Sequence, residues 1–356
     1  MSATILEPQS VDDVQTIVRD ESGLLPRGGG TKPALSAPHG PAQILDMSAV
    51  SGIIEYEPGE YTFTAYAGTP LSEIEAALLE HGQYMPFDPM LVASGATVGG
   101  LIASNTSGSG RYRYGGVRDF ILGVRFVDGE GNLVSSGGKV VKNSAGFDLP
   151  KFFVGSMGRY GVITEASFKV FPQPPVYKTL RITFETLSVA IDAIFKLATS
   201  PLEMHALDIE PDGDTWAMLI RIGGLADALP GRLERLATFL NTESIVIEDD
   251  AERWRGVSNL AWAGELPVVK VPVSPRQIPV LDAKAGHARR YTAGGNVAWI
   301  ATEDIDTLRA ILTELNLVGL QLTGTTDNPY IGQRKGVALA QRVKRALDPN
   351  NTFLED

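Results

Sequence analysis

Apolar positions near the start of the chain recur with two different periods. Val11, Val14, Ile17 and Val18 share one face of a helix, with Ser10 placed to cap it. Leu24-Leu25-Pro26 and Ile44 to Met47 read as short strands, and Tyr61 to Tyr66 alternates as a half-buried one. Thr69-Pro70 predicts another helix start, with Thr69 as cap and Gly82 beyond its end. Ile121 to Asp128 and Ile163 to Phe171 add further strands. After Pro172-Gln173-Pro174-Pro175 the elements lengthen and glycines thin out, which marks a hinge between two domains.

Beyond the hinge the pattern repeats. Strands at Leu180 to Phe184, Met204 to Glu210, Thr215 to Ile222 and Ser244 to Glu248 alternate with helices at Ser188 to Ala198 and Pro230 to Leu240. That order, βαββαβ, is ferredoxin-like. A weaker copy follows: Val268 to Val273, a helix near Gln277 to Lys284, Val297 to Ala301, a helix from Glu303 to Leu315, and Val318 to Leu322. Two such units can fuse into one antiparallel sheet with helices on one face. A last amphipathic helix, Val337 to Leu347, carries Arg342, Lys344 and Arg345 on a face expected to be solvated. The class is α+β. The expected division is 1–172, 173–323, and a helical segment 324–356 returning to the first domain.

Composition narrows the function classes. The chain has 356 residues, 44% hydrophobic and 21% charged, as a soluble globular protein does. A net charge of −11 argues against nucleic acid, whose phosphates call for a basic face. No segment approaches the roughly 18 consecutive apolar residues of a membrane span, and Met1 to Gln9 shows no secretory leader. There is no cysteine, hence no disulfide, no cysteinyl flavin link and no iron–sulfur cluster held by this chain. The four histidines, His39, His81, His205 and His287, lack metal-ligand spacing, so no metal site is expected. A cytoplasmic protein is the natural expectation.

The chemistry concentrates in glycine-rich loops. Arg27-Gly28-Gly29-Gly30-Thr31-Lys32 offers bare amides, a hydroxyl and positive charge, which suit an anion. Ser94-Gly95-Ala96-Thr97-Val98-Gly99-Gly100 can open a short helix and leads to Asn105-Thr106-Ser107-Gly108. Two such loops suggest a diphosphate held between them. Alone, the first would rather read as a glycine-rich surface turn, and the second equally as a tightly packed helix. The Walker order fails because Thr31 precedes Lys32, and the Rossmann fingerprint fails because Pro33 follows instead of a helix. Arg111, Arg113 and Arg118 with Tyr112 and Tyr114 suit a planar heterocycle and its phosphates, or a solvated ion-paired loop.

In order, RGGGTK, GTPL with GQYMPFDP, GATVGGLIASNTSG, RYGGVRDFILGV, KVVKNSAGFDLPK and VGSMGRYGVITEASFKVFP resemble the FAD-binding domain of the vanillyl-alcohol oxidase (PCMH-type) superfamily. Within it they most resemble the FAD-binding E subunits of glycolate oxidase. The strong resemblance covers about residues 1 to 175. It implies FAD with its pyrophosphate between two loops: Arg27, Gly28, Gly29, Gly30 and Thr31 in the first, Gly95, Ala96, Thr97, Gly99 and Gly100 in the second. Asn105, Ser107 and Gly108 would continue along the cofactor. Pro86, Phe87 and Asp88 match a segment near the ribityl and flavin region. Gly161, Val162 and Ile163 match a turn and strand whose backbone meets the cofactor, and Tyr114, Gly115 and Asp119 are further carry-overs.

Two departures shape the expected role. Relatives with covalent flavin carry histidine in the first loop; Thr31 and Lys32 stand there, so non-covalent FAD is expected. Hydroxyacid-oxidising relatives carry a histidine-rich metal site, which the chain lacks. No distinctive catalytic base is visible, so the catalytic residues stay unassigned. Lys142, Arg113 and Arg118 are candidates for a cation near reduced flavin. The resemblance then implies an FAD-binding electron-transfer subunit of a glycolate (2-hydroxyacid) oxidase. It would associate with a catalytic flavoprotein subunit and an iron–sulfur subunit, in the cytoplasm or peripheral to the inner membrane through those partners. The alternatives are a self-sufficient FAD oxidase or dehydrogenase of a small alcohol, sugar or hydroxyacid, and a cofactor-free structural subunit. Trp254, Val257, Leu260 and Ala261 share a helical face that would be either a partner surface or ordinary core.

Overall fold

The Asp13 amide donates to Ser10 Oγ, which starts the first helix, Val11–Asp20, and turns Val14 and Val18 inward. The computed structural model describes residues 4–36, 42–138, 148–248, 250–286 and 288–354. Strands β1 (Ile5–Leu6), β2 (Leu24–Arg27) and β3 (Gln43–Asp46) form a parallel sheet in the order β1-β3-β2. Next come β4 (Ile53–Glu57), β5 (Thr62–Tyr66), β6 (Gln83–Tyr84), β7 (Ile121–Val127), β8 (Leu133–Gly137), β9 (Val162–Lys169) and β10 (Phe171–Pro172). Five of these make an antiparallel sheet in the order β4-β5-β9-β7-β8, and β6 pairs with β10. Helices Leu71–Leu79 and Val98–Ser104 share the apolar core of this sheet with Phe63, Phe87 and Phe168.

Thr69 does not cap its helix. Its hydroxyl donates to Gly52 O and accepts from Gly52 N, so Pro70 occupies the cap position with no side-chain bond.

The second half is one antiparallel sheet of nine strands: β11 (Val176–Phe184), β12 (Ala206–Asp212), β13 (Thr215–Gly224), β14 (Ser244–Ile247), β15 (Val268–Pro272), β16 (Ala288–Thr292), β17 (Val297–Ala301), β18 (Val318–Gln321) and β19 (Tyr330–Gly332). The order is β14-β11-β13-β12-β16-β17-β15-β18-β19, two ferredoxin-like units meeting at Ile209 and Tyr291. Strand β16 completes the second unit and is absent from the sequence reading. Strand β19 was also missed; it lies in the range read as a separate helical segment, yet pairs with β18.

The two faces of β15 show how the halves meet. Val269 and Val271 pack under helices Leu187–Ala198, Leu229–Leu240, Ile278–Ala285 and Ile305–Glu314. Val268 points the other way, into the core shared with the N-terminal half, as do Trp299 and Ala301 of β17. Trp254, Val257 and Leu260 are buried, with Trp254 Nε1 donating to Thr179 Oγ1 at 2.8 Å, so that face is mostly core.

Helix Val337–Leu347 brings the chain back to its beginning. Lys344 is not solvated: its buried ammonium bonds Asp348 Oδ2 at 2.5 Å, Phe353 O at 2.7 Å and Arg159 O at 2.8 Å. Beyond it, Leu24 N donates to Thr352 O and Leu354 N to Leu24 O, which seats Phe353 among Val14, Val18 and Leu45.

Candidate functional site

The two glycine loops touch. A Cβ on Gly29 would stand 1.9 Å from Gly95 O, and one on Gly28 would stand 2.1 Å from Thr97 Oγ1. Any side chain at Gly29 would collide with backbone, so the close approach requires glycine. Gly30, at φ +63, turns the chain toward Thr31. A cavity of about 70 Å³ lies at the junction, lined by Arg27 to Lys32 together with Thr97, Gly100, Ala103, Ser104 and Met157. That volume suits a phosphate-sized group.

Gly99 serves packing rather than the cavity: its amide donates to Ala67 O, and a Cβ would sit 2.9 Å from the Ala67 methyl. Thr97 caps helix Val98–Ser104 by accepting from Gly100 N. Ala96 is buried and ties Leu71 N through its carbonyl. Arg27 is committed to Asp46 at 2.5 Å, with side chains 26% and 16% exposed. Burial would raise the Asp46 carboxyl, but its bonds from Arg27 and Ser48 hold it below its usual value.

Along the helix lies the second group. Asn105 takes a left-handed turn at φ 49, and its carbonyl accepts from Lys270 Nζ at 2.5 Å. Ser107 Oγ is buried with no hydrogen-bond partner. Gly108 N donates to Asp88 O, and Gly110 N to Asp88 Oδ2 at 2.8 Å. Enclosure raises the Asp88 carboxyl against the pull of the Gly110 amide and Arg221. Pro86 and Asp88 line a second, larger cavity of about 860 Å³, with Tyr84, Tyr114, Tyr177, His205, Arg221 and Trp254.

Other expected residues lie elsewhere. The Phe87 ring is core, 5.5 Å from Phe120 and 5.3 Å from Phe168. Gly115 and Asp119 form a local turn, Asp119 Oδ2 accepting from Gly116 N. Val162 and Ile163 bury their side chains beside Val127 and Phe126, and Gly161 backs onto Val127 O. Lys142 lies outside the described residues. Arg113 pairs with Glu203 at 3.1 Å, and Arg118 is exposed.

The sequence reading missed Lys270. It sits in the apolar run Val268–Pro272 and alternates onto the face of Val268, toward the loops. A lysine inside such a run was the available signal. Lys32 and Lys270 are each 7% exposed, and neither makes an ion pair with a described residue. Burial lowers the Lys32 ammonium to about 8. Burial, then the charges of Arg111 and Lys32, lower Lys270 to about 7. Buried cations without carboxylates are costly unless an anion completes them. These cations, the orphan Ser107 hydroxyl and the bare-amide cavity fit an anionic nucleotide such as FAD.

Residues 2–137 match the family model described as "FAD binding domain". The glycolate oxidase subunit GlcE of Escherichia coli is 32% identical over 80% of this chain and 86% of its own length. The chain belongs to the GlcE family. Glycolate oxidase subunit GlcD of Bacillus subtilis is 30% identical over 58% of the chain, which covers 46% of that relative. The mitochondrial D-lactate dehydrogenase [cytochrome] 1 of Saccharomyces cerevisiae is 28% identical over 99% of the chain and 71% of its own length. An alkyldihydroxyacetonephosphate synthase structure superposes with a TM-score of 0.72, covering 98% of this chain and 75% of the other. At 17% identity that likeness is one of fold. Membership of the GlcE family makes the chain an FAD-binding oxidoreductase. Among the described residues no helix is long and apolar enough to cross a membrane, and no cluster of potential metal ligands occurs.

Proposed function

We propose that this chain is the FAD-binding subunit of a complex that oxidises glycolate or a similar small 2-hydroxyacid, and that it holds FAD without a covalent bond. The observation that carries this is the shared cavity of the two loops, with buried Lys32 on its wall and no carboxylate among the described residues paired to it. Amides of the Gly28 to Gly30 turn and the Lys32 ammonium would neutralise the diphosphate. The Ser107 hydroxyl, buried and unpartnered, and Lys270 would meet the cofactor beyond it. Bound FAD would supply two-electron acceptance with one-electron release. Thr31 and Lys32 offer no imidazole or thiol for a covalent flavin link.

A division of labour follows from the inventory. With no cysteine, an iron–sulfur centre in the complex must sit on another chain. GlcE and GlcD are differently named glycolate oxidase subunits, which supports a catalytic flavoprotein partner. The complex would reside in the cytoplasm or against the inner membrane through its partners.

The test is an absorbance spectrum of the purified chain, followed by acid precipitation. Flavin colour released to the supernatant is expected. Colour retained in the pellet would overturn non-covalent binding, and a chain that takes up no FAD would overturn the cofactor assignment. Bleaching of the isolated chain's flavin by glycolate or D-lactate would instead make it a self-sufficient dehydrogenase.

A further inference from the structure

We propose that Lys270, carried into the site by the nine-stranded sheet, is a counter-cation for the negative charge of the bound cofactor. The inference rests on the FAD reading above and adds a residue of the second half near the loop cavity, whose lining comes from the first. Strand β15 presents Val268 and Lys270 to the N-terminal half, while Val269 and Val271 face the helices. The alternation turns Lys270 inward, and it is 7% exposed.

An ammonium has three donors. The Asn105 carbonyl takes one, at 2.5 Å, and no carboxylate among the described residues pairs with the others. Asn105 directly follows Ser104, which lines the cavity between the loops. Lys270 itself does not line that cavity; it stands at the end of helix Val98–Ser104 that leads to Ser107 and Gly108, near enough to Lys32 on the cavity wall to feel its charge. Its electrostatic neighbours, Arg111 and Lys32, are both positive. Two buried lysines beside the half-buried Arg111, in a protein of net charge −11, raise the cost of the empty site and concentrate attraction for an anion. A purely structural lysine would be expected to sit against a carboxylate, as Lys344 does against Asp348.

FAD carries negative charge in two places. The diphosphate is charged in both redox states, whereas the ring gains charge on reduction. The experiment compares the wild-type chain with Lys270→Met, which keeps length and removes charge, and with Lys270→Arg. Apo melting temperature, FAD Kd, flavin midpoint potential and sulfite-adduct Kd are measured. Lys270→Met is expected to melt at or above the wild-type apo temperature, because a buried unpaired charge is gone. With diphosphate contact, its FAD Kd rises tenfold or more while the potential holds. With ring contact, the potential falls by about 30 mV per tenfold loss for the two-electron couple, and sulfite binding weakens tenfold or more. Either result supports the proposal, with Lys270→Arg recovering most of the loss. A lower apo melting temperature with Kd, potential and sulfite binding unchanged would make Lys270 a structural strut and overturn it. If wild-type chain takes up no FAD, the cofactor reading fails first and the proposal with it.

Discussion

Ser109 Oγ donates a 2.5 Å hydrogen bond to Asp208 Oδ2, a carboxylate with no exposure at all. The bond ties the segment after the second glycine loop to strand β12. Asp208 also accepts from Ala293 N at 3.3 Å, and Arg290 Nη2 lies 3.8 Å away. Burial pushes its carboxyl up to about 7 against the pull of Arg290, Ser109 and Ala293. The folded state thus keeps a proton that the unfolded chain releases near pH 4. Between about pH 4 and 7 the folded state binds more protons, so this group's contribution to stability falls as pH rises. Asp208→Asn, which mimics the protonated form, is expected to gain on wild type from pH 5 to pH 7.5. Melting temperatures of both proteins across that range check it.

The buried lysines carry the opposite dependence. In apo protein Lys270 and Lys32 lose their protons near 7 and 8, while unfolded lysine keeps its proton to about 10.4. The unfolded state binds more protons across that window, so apo stability contributed by these groups rises with pH through it. Below about pH 7 the burial penalty is present in full. Lys270→Met should flatten the apo melting profile between pH 7 and 9.5, and added FAD should flatten the wild-type profile.

Gly29→Ala should separate the loops. Its methyl would meet Gly95 O at 1.9 Å, and neither partner is a flexible side chain. A stability loss of about 1–3 kcal/mol is expected, with FAD affinity reduced tenfold or more. Gly59→Ala, with open space around it, is the control and should leave both unchanged. Urea melts and fluorescence titration with FAD read the two effects.

Lys344→Met leaves the fully buried Asp348 without its ammonium. Removing one partner of such a pair costs about 3–5 kcal/mol. The Leu354 and Leu24 amides, bonded across the returning strand, should lose protection earlier than the rest of the molecule. Hydrogen exchange resolved by residue checks this.

How much was legible depended on whether a residue's partner was near in sequence. The loops at Gly28 to Thr31 and at Gly95 to Gly100 announced themselves because glycine at close backbone contact leaves its mark in the sequence. Strand β16 did not. Arg289 and Arg290 break its apolar pattern, and the Glu210 that pairs with Arg290 comes from the first ferredoxin-like unit. Lys344 read as solvated because the carbonyls of Arg159 and Phe353 arrive only through tertiary structure. Thr69 was spent on Gly52, seventeen residues away, before it could cap a helix. Lys270 was hidden by ordinary strand alternation, since both faces of its sheet are buried.

The pairing of Leu24 with the segment around Phe353 bears on how the chain is made. The first parallel sheet waits for residues that leave the ribosome only after all nine strands of the larger sheet have been synthesised. Folding of the N-terminal half therefore cannot finish until residues 352–354 have been made. Until residues 352–354 arrive, Val14, Val18 and Leu45 lack the Phe353 ring that covers them, and apolar surface left open in this way makes an unfinished chain prone to aggregate.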